Sequence, residues 1–243
     1  MHFVDHIFVF LLFVVQPIHG AYSYKKYVKR IEDGKPADRV RAYLETMALE
    51  WAAFIVVAGA WYFLRRPIAD LGFVSSSTTQ IAAGLAVLAV FTVYLLYSWR
   101  TVKSMSDERR TKEIDALGTL VHLMPHDARD YRYFNAVSVT AGIVEEFLYR
   151  GFAFWYLAHF LPLWAVVLVS SVAFGLGHTY QGAGGVARVT LIGIAFGAFY
   201  VFTGSIWLPM LAHAVLDILQ GANLLELLRK DDDQEFEQHP DPG

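Results

Sequence analysis

The chain has 243 residues, of which 56% are hydrophobic and 18% charged, with a formal net charge of −3 and no cysteine. A soluble domain carries about 45–50% apolar and about 25% charged residues, so this balance, with a mean hydropathy of +0.39, marks an integral membrane protein. The small net charge gives no footprint for a nucleic-acid partner, and the missing cysteines exclude disulfides, thiol nucleophiles and thiolate metal sites.

The first apolar run, residues 7–15, is followed by Gln16-Pro17 and is short for a span unless Phe3 and Val4 join it. The residues before it carry no Lys or Arg, which a secretory signal needs there. A retained first span is therefore expected, with Asp5 and His6 at the membrane surface. Lys25, Lys26, Lys29, Arg30, Lys35, Arg39 and Arg41 follow, interrupted by Gly34 and Pro36, and read as a broken surface helix beside lipid headgroups. Span two covers residues 46–64 and stops at Arg65-Arg66-Pro67, because Pro67 cannot continue a helical hydrogen-bond ladder. Leu71-Gly72-Phe73 and the polar cluster 75–79 read as a short re-entry. Span three covers 81–99 and ends on Trp99, whose amphipathic ring suits an interface.

Residues 100–132 form a second charged segment, with Lys103, Arg109, Arg110, Lys112 and Arg129. Within it, 113–121 is expected to be an amphipathic helix on the membrane surface. His122 and His126, around Pro125, suit a hydrated interfacial loop better than a metal pair. Span four covers 134–160 and span five 161–178. The loop 181–185, Gln-Gly-Ala-Gly-Gly, is expected to be flexible. Span six covers 189–202, with Gly193 and Gly197 spaced for close helix approach. Span seven covers 206–228 and holds Pro209, His213 and Asp217.

The fold class expected is an all-α, polytopic transmembrane helix bundle of about seven spans. Residues 1–230 form a single bundle with a catalytic core at 131–229, and 231–243 an acidic, disordered tail. Basic residues fix the orientation. With the N-terminus outside, both basic segments, Arg188 and the Arg229-Lys230 pair lie inside, and only Arg65 and Arg66 lie outside.

Chemistry concentrates in Ala141-Gly-Ile-Val-Glu-Glu-Phe-Leu-Tyr-Arg150. Ionisable groups at membrane depth are costly and default to a functional hypothesis. Glu146 and Arg150 are i and i+4 and share a helix face, whereas Glu145 is rotated about 100° away. Glu146 is therefore read as the partner of Arg150, and Glu145 as the carboxylate available for chemistry. Spans five and seven bring His178 and the i, i+4 pair His213 and Asp217. Phe174, four residues before His178, is expected to wall the histidine. Glu145 lies mid-span and His178 near the inner end of its span; a break at Gly175 or Gly177 would bring them together.

These residues resemble the CAAX-protease and bacteriocin-processing membrane family, also called the CPBP or Abi family. Its Glu-Glu-x-x-x-Arg, Phe-x-x-x-His and His-x-x-x-Asn/Asp patterns are met in order by Glu145-Glu146-Phe-Leu-Tyr-Arg150, Phe174-Gly-Leu-Gly-His178 and His213-Ala-Val-Leu-Asp217. The resemblance covers about residues 131–229. It implies an intramembrane endopeptidase that cleaves a membrane-anchored or prenylated peptide. In it Glu145, helped by His178, activates water, Glu146 is kept ionised by Arg150, and His213 with Asp217 stabilises the oxyanion.

Asp217 departs from the members with Asn, whose amide can donate; an ionised Asp only accepts. It must then be protonated, orient His213, or bind a metal. Glu145, His178, His213 and Asp217 make an acceptable zinc set, but no His-Glu-x-x-His occurs and Arg150 disfavours a cation. Metal-free glutamate catalysis, with no cofactor, is the preferred reading. A bacterial or archaeal plasma membrane is expected rather than endoplasmic reticulum. The alternatives are a non-catalytic scaffold or bacteriocin-immunity-type protein, and a small transporter, which the lack of an internal repeat disfavours.

Overall fold

The computed structural model describes residues 1–238, with side chains through Leu228. The described residues form eight helices and no strand. Helix α1 is Phe3–Glu32, α2 Arg39–Phe63, α3 Thr78–Lys103, and α4 Asp107–Leu117. Helix α5 covers residues 128–157 as Ala128–Glu146, a π-helical stretch Phe147–Ala153, and Phe154–Leu157. Helix α6 is Leu163–Leu176, α7 Gly182–Thr203, and α8 Trp207–Gln238.

Five helical stretches are long and apolar enough to cross a membrane: Phe3–Glu32, Arg39–Phe63, Thr78–Lys103, Thr179–Thr203 and Trp207–Leu228. The other two expected spans are α5, which carries Glu145, Glu146 and Arg150, and the 14-residue apolar α6. About seven spans remain the fitting count.

Helix α1 runs straight through Gln16-Pro17 into the basic segment. Its π turn, Leu11–Val15, ends where Pro17 falls near the start of a renewed α-helical register. Proline is tolerated there because its missing N–H belongs to the first turn. The expected break comes later, at Gly34 with φ +78°, and Asp38 caps the restart by accepting from the Arg41 N–H. The segment expected to lie on the surface at 113–121 also shifts. Helix α4 begins at Asp107 and stops at Gly118, where φ is +53° and a side chain would be strained. A 3-10 turn, Gly118–Leu123, follows.

The loop 181–185, expected to be flexible, is instead helical from Gly182, whose φ of +75° turns the chain into α7. Helical backbone also continues through residues 231–238 of the acidic tail expected to be disordered; residues 239–243 lie outside the described residues.

The core lies between the helices that carry the motifs. Val144, Phe147, Phe152, Phe174, Met210 and Ile206 form it, joined by Leu12 of α1 and by Val57 and Trp61 of α2. The re-entry packs into it: Leu71 is fully buried, and Gly72 offers its carbonyl to the Ile206 N–H at 3.0 Å. At one end, Asp5 takes two hydrogen bonds from Arg66, at 2.8 and 2.7 Å, and the Arg66 guanidinium lies over Trp61 and Trp155. At the other end the two basic segments meet. Tyr24 donates to Thr119, and Tyr27 and Arg39 donate to the His122 carbonyl.

Candidate active site

The site is built where α5, α7 and α8 touch. Gly142 of α5 is pressed against α8 so closely that a Cβ there would sit 2.8 Å from the Ala214 nitrogen and 2.9 Å from the Met210 carbonyl. Only a residue with no side chain lets two backbones meet this way. One turn further along α5 come Glu145 and Glu146, opposite His213 of α8. On the other flank, Gly193 and Gly197 of α7 seat against Ser171 and Phe174, and against Val167 and Phe154. That is the packing role their spacing suggests, and Gly193 adds its carbonyl to the site.

Glu146 is completely buried and Arg150 is 1% exposed. The expected pair forms: Arg150 Nη1 donates to Glu146 Oε1 at 2.8 Å, and Nη2 donates to the Gly193 carbonyl at 3.0 Å. The guanidinium also lies 4.7 Å from the Phe174 ring and 5.7 Å from Phe196. Phe174 therefore walls the arginine as well as the histidine.

Glu146 Oε1 has a second partner, His213 Nδ1, at 2.9 Å. A carboxylate held by a guanidinium is an acceptor, so Nδ1 carries the proton and donates. The tautomer is thereby set and Nε2 is turned outward. Nε2 stands 3.6 Å from Asp217 Oδ2 and 3.7 Å from Glu145 Oε2.

Glu145, Glu146, Arg150, His213 and Asp217 thus converge on one imidazole. Their accessibility differs in a way that assigns work. The Glu145 and Asp217 side chains are 18% and 33% exposed, whereas Glu146 is sealed. Of these three carboxylates, only the first two are open to solvent.

His178 sits just past α6, which ends at Leu176, at a break where the tension over depth would be relieved. Its Nδ1 donates to the Phe174 carbonyl at 2.9 Å, leaving Nε2 free. The ring packs at a tilt against Phe174 and Tyr180, and the imidazole is within electrostatic range of Asp217. Among the described residues no three His, Asp or Glu side chains are grouped to hold a metal ion. His126 Nδ1 donates to the Met124 carbonyl at 2.9 Å, and the His122 backbone carbonyl accepts from Tyr27 and Arg39.

Two residues at the site were not singled out in the sequence. Glu50 of α2 is within electrostatic range of Glu145, His213 and Asp217. The rule that flags an ionisable group inside an apolar span applies to it equally. Tyr180 brings its phenol within range of Glu145, Asp217 and Glu50; nothing in the sequence distinguishes it from the other tyrosines.

Comparison with known proteins bears on this same segment. The family described as "Type II CAAX prenyl endopeptidase Rce1-like" has a model that matches residues 130–219, from the start of α5 to just past Asp217. No curated protein and no solved structure matches the chain. Over residues 130–219, then, the chain is similar to the type II CAAX prenyl endopeptidases, in agreement with the CAAX-protease family that its three motifs resemble.

Proposed function

We propose that the protein is an intramembrane endopeptidase of the glutamate type, acting on a membrane-anchored or prenylated peptide without a metal cofactor. The observation that carries this reading is the His213 junction, with Nδ1 fixed by Glu146 and Nε2 turned toward two reachable carboxylates.

Glu145 takes the proton of the attacking water, with His178 Nε2 available to help hold that water. In the state with both nitrogens protonated, His213 presents its Nε2–H to the developing oxyanion. Asp217 steadies that N–H instead of donating in its own right, which gives a role to the residue that stands where other members have Asn. Glu146 and Arg150 hold the histidine and do not touch substrate. The basic end of the bundle faces inward and the N-terminus outward, in a bacterial or archaeal plasma membrane.

The test is cleavage of a panel of prenylated and transmembrane peptides by the purified protein in detergent, with and without chelator. Cleavage unchanged by chelator and abolished by Glu145→Ala, and likewise by His178→Ala, is expected. Full activity in both variants overturns the catalytic assignment, and loss of activity on chelation overturns the metal-free chemistry. A protein that cleaves no member of the panel, and whose variants only lose thermal stability, is the non-catalytic scaffold.

A further inference from the structure

The site holds a fourth carboxylate, Glu50, whose reach the three motifs leave unexplained. Along α2, residues 50, 54, 57 and 61 fall on one helix face. Val57 and Trp61 are 6% and 3% exposed, and Phe54 packs its ring 4.4 Å from Phe147. Glu50 is one turn before Phe54 on that face, so the register carries it opposite the turn of α5 that precedes Phe147, next to the turn that bears Glu145 and Glu146. The register is pinned on both sides, because Tyr43 meets Phe134 and Trp51 donates to Thr140 at 3.3 Å.

Glu50 Oε2 is closed off from solvent, yet it has no hydrogen-bond partner among the described residues. A buried carboxylate oxygen without a donor is costly and calls for one. Arg150 donates to Glu146 and Gly193, and His213 Nδ1 to Glu146; the Tyr180 phenol, within electrostatic range of Glu50, does not hydrogen-bond Oε2. The donor that hydrolysis itself brings is water, which has two O–H bonds. Glu145 has use for one of them.

Resting on the endopeptidase reading above, we propose that Glu50 is a further catalytic residue, which takes the second O–H of the attacking water while Glu145 takes the first. Held by two carboxylates from different helices, the water has both O–H bonds fixed; in the state with both nitrogens protonated, His178 donates its Nε2–H to one lone pair, and the other is left for the scissile carbonyl. As the water oxygen forms the new C–O bond, its first proton passes to Glu145 and the carbonyl π pair moves onto the oxygen that His213 receives. The second proton stays on the attacking oxygen, hydrogen-bonded to Glu50. Collapse restores the C=O bond and breaks C–N; the nitrogen keeps that electron pair and takes the proton from Glu145. A carboxylic acid and an amine leave, and both glutamates return to their starting state.

The experiment compares wild type, Glu50→Gln and Glu145→Gln on a peptide that the wild type cleaves, with kcat, KM and melting temperature measured for each. Glu50→Gln keeps the shape of the side chain but puts an amide where the water donates. Its kcat is expected to fall by about 10²-fold, the size of effect a positioned proton-handling group supplies, with KM and melting temperature unchanged. A kcat at the wild-type level overturns the proposal while leaving the endopeptidase intact. A fall in melting temperature with kcat retained in the folded fraction also overturns it, since that is the mark of a structural residue. Should Glu50→Gln fail to fold, Glu50→Asp, which withdraws the carboxylate by one methylene, decides in the same terms: lost kcat at constant KM supports the role, and full kcat ends it. A wild type that cleaves nothing overturns the endopeptidase reading, and this role with it.

Discussion

Glu146 shows how much a single buried carboxylate can organise. It accepts from Arg150 on its own helix and from His213 on α8, and Arg150 in turn donates to Gly193 on α7. Three helices are cross-linked through two side chains that solvent does not reach. Removing one member leaves an uncompensated charge in the bundle, whereas removing both leaves none. Arg150→Met is therefore expected to destabilise the protein by about 3–5 kcal/mol, read as a fall in melting temperature in detergent. The double variant Glu146→Gln with Arg150→Met is expected to recover most of that loss. Equal destabilisation in both would mean that the hydrogen bonds to His213 and Gly193, not the charge balance, hold the helices together.

At the scale of the helix, the site depends on the contact of α5 with α8. A methyl group at residue 142 meets backbone atoms of α8 rather than a side chain that can swing away. Gly142→Ala should push the two helices apart, at a cost of about 1–3 kcal/mol for overpacking. Because Glu145 and His213 lie next to that contact, activity should fall further than stability does. Gly59 is the control: it is on α2 with open space around it, and Gly59→Ala should leave both unchanged. Cleavage rate and melting temperature, measured side by side for the two variants, check this. The π-helical stretch of α5 belongs to the same scale. All seven of its residues are buried, in the segment that joins the Glu-Glu pair to Arg150, and such turns are frequent at functional sites.

Across the whole molecule, the two ends of the bundle differ in charge and in what ties them. At one end the buried Asp5 is doubly hydrogen-bonded by Arg66, while Tyr24, Tyr27 and Arg39 tie the two basic segments at the other. With no native cysteine, single cysteines report topology directly. In sealed cells, a membrane-impermeant maleimide is expected to label Asp70→Cys, and to label Lys26→Cys only after the membrane is opened. The reverse pattern would place the N-terminus inside and overturn the charge argument.

The sequence alone was enough for the membrane character, the approximate number of spans and the residues of the three motifs. Those properties are carried by local composition and by i, i+4 spacing, and neither depends on distant contacts. Helix boundaries were legible where a breaker acted alone, as at Pro67. They were misjudged where backbone geometry compensated, as when Gly182 opened a helix in place of a loop. The tertiary structure alone decided which atoms meet: that Nδ1 of His213 belongs to Glu146, that the Gly193 carbonyl holds Arg150, and that Glu50 is at the site. The physical reason is that a helix fixes the direction of each side chain about its own axis, but only packing sets how one helix is rotated and raised against the next.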